Sequence, residues 1–595
     1  MVTYSSRAEV PENEKWDLTD IFPSTEEWKR EYTKIEEMAD KLTAFEGKIK
    51  DGNSLFEFLE LREKINLSFK KVYVYAMLHV DLDTRDSTSQ KLLDKASQLS
   101  VKVNSATSFF MPFLLNLKES TLKQYIAKVD KLNYFEDHLL DAYRYKDHVL
   151  SKEKEEVLSQ LGEAISSPSK TYGMINNADI KFGEVTNEKG EKVELSRGMY
   201  SKLIEHEERA VRKEAYKAYY QPYVQLKNSI ASTLSAAIKN NVVLTKMRNY
   251  PSALEKSLFT DMVSKDVYEN LIQATKENIA PYHDYVTLRK KLLNLDEVRQ
   301  YDLNVPLVKG VKHDIPYEEA YDTMLKALAP LGEGYVETLS RFRTKRYVDV
   351  RETPGKRSGA YNMGLYGVHP FVLLNHHDNI DSLFTLTHEM GHAMHSYYSS
   401  NYQPHITASY TIFVAEVAST VNEILLINYL LETTKDEQMR KYLVNHFIDK
   451  FRGTFFTQVM FAEFEKKTHE LAEQGEPLNT QVFSEVYESL FREYNGAEVV
   501  FDDEVKYGWA RIPHFYRPFY VYKYATGFAS AMLIANKILE GDGQTKESYL
   551  EFLKSGSSDY PLELLKKTGV DLTKPEPVEN ALTTFRELVN QFSKM

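Results

Sequence analysis

Apolar residues recur at three- and four-residue spacing over most of this chain, and that periodicity leaves room for little besides packed helices. Over residues 25 to about 172 the pattern is nearly unbroken. Leu55, Phe58, Leu59 and Leu61 share one face, and Val72, Tyr75, Ala76 and Leu78 continue it. Residues that break helices are scarce, 24 Gly and 19 Pro in 595. A chain of this length can bury a large core, spread over about two to four domain-sized units. Asp20 and Ser24 are candidate caps ahead of the first long helix, with Pro23 at the break. A mainly α fold is expected.

Two stretches depart from the helical texture. Residues 181–195, KFGEVTNEKGEKVEL, form two short alternating runs around Asn187, Glu188, Lys189 and Gly190, the pattern of a β-hairpin. A boundary placed there divides the chain into an N-terminal helical domain, 1–195, and a larger C-terminal domain, 196–595. Helical periodicity resumes over residues 201–293. An irregular region follows at 301–314, where VPLVKGVKHD suggests turns, and then a helix is expected over 317–342. Residues 346–375 are the least helical, with Gly355, Gly359, Gly364, Gly367, Pro354 and Pro370. Within them Phe371, Val372, Leu373 and Leu374 read as one buried strand.

The chain has no cysteine. That excludes disulfides, thiolate metal sites and a cysteine nucleophile, so any metal must rest on histidine and carboxylate ligands. The opening residues, MVTYSSRAEVPENEKW, hold no apolar core of a signal peptide. No uninterrupted apolar run approaches 18 residues; SAMLIA, from Ser530 to Ala535, is short. A soluble cytoplasmic chain with no membrane partner is expected. A net charge of −12 speaks against nucleic acid as a partner. Pairs such as Lys70-Lys71 and Lys290-Lys291 read as solvated helix faces.

The chemistry concentrates in DSLFTLTHEMGHAMHSYYSS, where Ser382 can cap a helix running through His388, Glu389 and His392. Residues four apart lie one turn above each other, so both imidazoles can converge on one ion. Zinc accepts histidine nitrogens at about 2.0–2.1 Å and keeps a position open for water in catalytic sites. Glu389 then stands where a general base is needed. The competing reading is a hydrogen-bonded His/Glu network without metal, since buried polar groups need partners of some kind. A metzincin would need Gly at 395 and His at 398, but His395 and Tyr398 stand there. His395 lies seven residues from His388, about 10.5 Å along the axis. It is better read as supporting or packing than as a ligand. The apolar segment 409–431 carries Glu416, Thr420 and Glu423 on one face. Two acids there are explained if Glu416 is the third ligand and Glu423 orients a ligand histidine, or if both pair with buried Arg or Lys.

GVHPFVLLN followed by LTHEMGHAMH and FVAEVAST resembles the thimet-oligopeptidase-like zinc peptidases, and most nearly their bacterial oligoendopeptidase F branch. The resemblance extends from WDLTDIF (Trp16 to Phe22) through RYVDV and GKRSGAY to HFYRPFYVYKYATG. It matches Glu416 to the third ligand and implies one zinc ion per chain. Where eukaryotic members carry Glu-x-Pro-Ser-Gln, this chain has Glu416-Val-Ala-Ser-Thr420, which argues against the thimet and neurolysin branch. The implied fold is two helical halves flanking a deep substrate channel, with a small β-sheet beside the zinc helix. The implied activity is endopeptidase cleavage of short unstructured oligopeptides.

Members of the family use a loop histidine and nearby tyrosines to hold the oxyanion, and His514, Tyr520 and Tyr524 match those positions best, with Tyr516 as an alternative. Pro518 suits the first turn of a helix that would place Tyr520 and Tyr524 on one face. The same aromatics can equally be core, as Phe515, Phe519 and Tyr522 are expected to be. The strand at Phe371 to Leu374 either offers an edge to an extended peptide or is covered on all sides. Gly364 and Gly367 would let the preceding loop approach substrate. Three other functions remain open: a zinc carboxypeptidase using Arg511 or Arg517 for a terminal carboxylate, a hydrolase of other amides, and a helical scaffold with a vestigial site.

Overall fold

The periodic stretches are helices because each buries one apolar stripe and has its exposed ends capped. A computed structural model describes residues 4–187, 190–308 and 314–595. Ser24 caps the first long helix, its hydroxyl accepting from the Glu27 amide at 3.3 Å. Asp20 caps nothing; its carboxylate meets His369 Nε2 at 3.0 Å.

The chain divides into two compact units, each drawn from separated segments. The first comprises Met1–Lys152, Lys312–Leu426 and Lys537–Thr568, and the second Glu153–Val311, Ile427–Asn536 and Gly569–Met595. Compactness therefore does not follow a linear split at residue 195. The helix Lys152–Met174, from Glu153 onward, and the expected hairpin both fall in the second unit. That hairpin is present, with Glu184–Thr186 antiparallel to Lys192–Glu194. Glu188 and Lys189 of its turn lie outside the described residues, as do residues 309–313 of the irregular region.

In the first unit, α1 (Thr25–Thr43), α2 (Gly52–Leu82) and α3 (Ser87–Thr107) pack pairwise. Trp28, Ile35, Leu42, Leu55, Phe58, Leu59 and Val72 are buried between them. Each such side chain contributes about 1.5–3 kcal/mol on leaving water. Trp28 Nε1 also donates to the Val72 carbonyl at 2.8 Å, so its one polar atom is satisfied. The same core continues into a small sheet through Leu365, Phe371 and Leu373.

That sheet has three strands, β1 (Val348–Asp349), β2 (Tyr361–Met363) and β3 (Phe371–Leu373). The buried strand expected at 371–374 is β3, and it is the central one, parallel to β1 and antiparallel to β2. It therefore offers no edge to a peptide. The Val372 and Leu374 amides donate to Tyr347 and Asp349 carbonyls at 2.9 and 2.8 Å. Val372 thus spends its backbone groups on the β1 side. Asn362, opposite Val372 in β2, forms a non-hydrogen-bonded pair, and its own amide and carbonyl point to the outer edge.

The helix expected over 317–342 is two, Tyr317–Ala327 and Glu333–Thr344. Pro330 and Gly332 separate them, the glycine at φ 101° where a side chain would be strained. Two further helices of the site are α4 (Ile380–Tyr402) and α5 (Ile412–Thr433). By length and composition α5 could cross a membrane, despite Glu416 and Glu423. However, 72% of its most apolar window is buried inside the protein, as in a core helix.

Candidate metal centre

The helix bearing both histidines begins at Asn379, not Ser382. The Asn379 side chain accepts from the Ser382 amide at 2.9 Å, and Ser382 Oγ accepts from the His377 amide at 3.0 Å. The two residues share the cap, and sequence spacing alone favoured the wrong one.

Gly391 sets how closely α4 and α5 approach. A Cβ there would stand 2.5 Å from Ser419 Cα, 2.6 Å from the Ala418 carbonyl oxygen and 2.8 Å from the Ser419 amide. All three atoms are backbone, so the helices themselves would have to part. Only at this separation does Glu416 on α5 reach the histidines of α4. Gly391→Ala is expected to cost about 1–3 kcal/mol through overpacking and to weaken metal binding by separating the donors. Thermal unfolding and a metal titration check both effects.

The donor atoms of His388, His392 and Glu416 lie within 4.8 Å of one another. Glu416 Oε2 is 3.5 Å from His388 Nε2 and 3.7 Å from His392 Nε2. The two imidazoles stand 4.8 Å apart at 85°. These gaps are too long for good hydrogen bonds. They are close to the edge of about 3.4 Å between donors at 2.0–2.1 Å around a tetrahedral ion. Two nitrogens and a carboxylate therefore fit a divalent metal better than they fit one another.

Glu423 Oε1 lies 3.3 Å from His388 Nδ1, the nitrogen turned away from Glu416. Burial opposes charge on His388, but the carboxylates of Glu423, Glu389 and Glu416 together outweigh it and hold the imidazole above its ordinary value. Burial and the neighbouring His388 push His392 the other way, towards the neutral ligand form. Glu389 is buried, and burial pushes its carboxyl up to about 7, while His388 and the outward-facing Asn362 amide draw it down.

His395 is outside this group. Its ring stacks on Tyr410 at 3.7 Å and 3°, with Phe552 at 5.3 Å, and burial pushes its pKa down to about 3. Tyr410 had no role in the sequence reading. Its hydroxyl donates to the His392 carbonyl at 3.3 Å and shares a 2.8 Å hydrogen bond with Ser396 Oγ, bracing the helix turn that carries His392. Gly364, expected to face substrate, instead admits Ser396, whose Cβ would lie 2.9 Å from an added methyl.

His514, Tyr520 and Tyr524 belong to the second unit and pack together there. The tyrosine rings are 5.5 Å apart at 82°, and His514 lies 6.1 and 6.2 Å from them. Pro518 does not start a helix. Phe519 has φ 55°, its amide donates to Glu465 Oε1 at 3.0 Å, and the helix begins at Tyr522. Tyr520 therefore precedes the helix and Tyr524 sits in its first turn. Tyr516 stacks on Tyr172 at 4.2 Å and bonds Thr233 Oγ1 at 2.7 Å, a packing role. Phe515, Phe519 and Tyr522 are core, as expected. Arg511 donates to the Tyr220 hydroxyl at 3.0 Å, and Arg517 lies 4.5 Å over the Tyr520 ring.

Comparison with known proteins agrees with this geometry. The profile of Peptidase family M3 matches residues 202–584, and that of Oligopeptidase F matches residues 114–182. Oligopeptidase PepF of Bacillus subtilis is 42% identical, covering 99% of this chain and 88% of its own. Group B oligopeptidase PepB of Streptococcus agalactiae is 38% identical, covering 98% and 97%. The crystal structure of oligoendopeptidase-F from Enterococcus faecium aligns with a TM-score of 0.76 at 36% identity, covering 96% and 99%. With profiles and relatives spanning nearly its whole length, the chain belongs to peptidase family M3 and is a metalloendopeptidase of the oligoendopeptidase F type.

Proposed function

We propose that this protein uses one zinc ion, held by His388, His392 and Glu416, to hydrolyse internal bonds of short unstructured peptides. The observation that carries this reading is the cluster of two imidazole nitrogens and a carboxylate oxygen, the oxygen 3.5 and 3.7 Å from the nitrogens, beside the buried Glu389. Zinc, when bound, would polarise the scissile carbonyl and make the attacking water more acidic.

Glu389 takes the proton from that water and returns it to the leaving amine. Glu423 Oε1, 3.3 Å from His388 Nδ1, is placed to hold the proton on that nitrogen, which would fix the tautomer and leave Nε2 as the ligand atom. The carbonyl of Asn362, on the outer edge of β2, can accept from the main chain of an extended peptide without reading its side chains, while the Asn362 amide serves Glu389. His514, Tyr520 and Tyr524 are assigned to the developing oxyanion. The assignment rests on the motif resemblance, as does a channel between two helical halves in which they would meet the substrate.

An enclosed channel makes size the test. The same susceptible sequence is offered as a free peptide and within a flexible loop of a stable folded domain. The free peptide is expected to be cut at an internal bond, with hydrolysis lost on chelation and restored by zinc. The loop is expected to survive. Equal cleavage of both would contradict the enclosed channel, and chelator-resistant cleavage would contradict the metal.

A further inference from the structure

Beside the metal centre, within the first unit, a cavity of about 400 Å³ is lined by Arg62, Asn66, Lys70, Asn362, Ser396 and Tyr410, among others. Arg62, Asn66 and Lys70 are four residues apart on α2, so one stripe of that helix faces the cavity. One turn before Arg62 the same side of α2 is core, at Phe58 and Leu59.

Among the described residues neither cation has an ion-pair partner, although Glu63 acts on Arg62 at longer range. The Arg62 guanidinium lies over the rings of Phe58 and Phe110 at 5.8 and 4.8 Å. Among the described residues, no carboxylate comes within ion-pair distance of Arg62 or Lys70. The one acid in the wall, Glu63, is engaged by His405 Nδ1 at 2.8 Å and the Tyr134 hydroxyl at 3.0 Å. His138, also in the wall, is pushed by burial towards its neutral form. Lys70 is exposed to solvent, yet the surrounding protein lowers its pKa, as it does that of Arg62. Accessible but poorly hydrated charge is what a concave wall produces. An incoming anion would recover what the two cations lose there.

The cavity lies within a few residues' reach of the metal-binding side chains. Ser396 and Ser400, both in its wall, stand four and eight residues beyond His392 on α4. At 1.5 Å per residue that is about 6 to 12 Å along the helix. An extended peptide covers the same span in about two to four residues. Asn362, whose amide serves Glu389, also lines the cavity, as does Gly364 just beyond β2.

We propose that this cavity is a subsite for a carboxylate of the peptide, two to four residues from the scissile bond, held by Arg62 and Lys70. It rests on the peptidase reading above and adds a substrate preference to it. The carboxylate comes either from an Asp or Glu side chain or from the peptide's own C-terminus.

The test uses zinc-loaded full-length enzyme and a neutral quenched-fluorescent peptide. A single Gln is replaced by Glu at each position up to four residues on either side of the cut, and each peptide is made as the free acid and the amide. Glu at one position, or the free C-terminal acid at one chain length, is expected to raise kcat/KM about tenfold or more over its neutral counterpart. The position-specific Glu effect identifies a side-chain source, and loss on amidation identifies the terminal one. In Lys70→Gln the ratio of acidic to neutral kcat/KM should fall towards one, and in Lys70→Glu it should invert in favour of a Lys-bearing peptide. Lys70 is exposed, so both variants should fold, and unfolding temperatures check this. Wild-type enzyme that cleaves the neutral peptide with no acidic preference overturns the subsite and leaves the peptidase reading standing. So does a preference that survives both Lys70 variants. Failure of loaded enzyme to cut any peptide defeats the peptidase reading itself.

Discussion

Glu389→Gln lowers kcat roughly 10²–10⁴-fold while zinc content stays near one ion per chain. The magnitude is that of a lost general base, and its separation from metal binding follows from the geometry. Glutamine keeps the size and hydrogen-bonding outline of the side chain, so the buried pocket between α4 and β2 is not emptied. The triangle of donors from His388, His392 and Glu416 does not include Glu389. What is removed is the ability to take a proton. Steady-state kinetics on a short peptide and metal analysis of the same sample check the two halves together. Substantial turnover with full metal occupancy would exclude Glu389 as the base.

Metal affinity should fall in a definite order across three single variants. Glu416→Ala removes a donor and leaves two imidazoles, so its loss should be well beyond the roughly 10–100-fold typical of an outer hydrogen-bond partner. Glu423→Ala should fall within that range, because it frees His388 Nδ1 without removing a donor. His395→Ala should retain stoichiometric metal. Its cost is structural, since the ring is buried against Tyr410 and Phe552, and should appear as a lower unfolding temperature. Competition with a chelator of known affinity, alongside thermal melts, separates the effects. Normal affinity in Glu416→Ala with loss in His395→Ala would exchange the two residues' roles.

Local spacing made most of the metal centre legible. Histidines four apart on a helix must share a face, and two acids in so apolar a helix as α5 needed a purpose, so His388, His392, Glu416 and Glu423 could be named from sequence. What escaped depends on contacts between distant segments. The burial of Phe371–Leu373 was readable from its composition, but its central place in the sheet depends on Val348–Asp349 and Tyr361–Met363. An edge for a peptide is therefore proposed on β2 instead. Pro518 carried a genuine helix-start signal, overridden by the left-handed Phe519 and its bond to Glu465. Lys70 read as part of a solvated helix face and is exposed, but only the fold reveals that it also faces a cavity beside the metal helix. The interleaved units leave no mark in local composition, since no linker separates segments that cross from one unit to the other within a helix such as Tyr522–Leu539.

Anomalous diffraction from crystals of the zinc-loaded wild-type protein, measured on both sides of the zinc absorption edge, bears most directly on the proposed centre. One strong peak per chain is expected, within coordination distance of His388 Nε2, His392 Nε2 and the Glu416 carboxylate, with Glu389 beside it but unbound. A peak centred on His395, or full zinc occupancy at a site that excludes Glu416, would contradict the ligand set and the catalytic mechanism built on it.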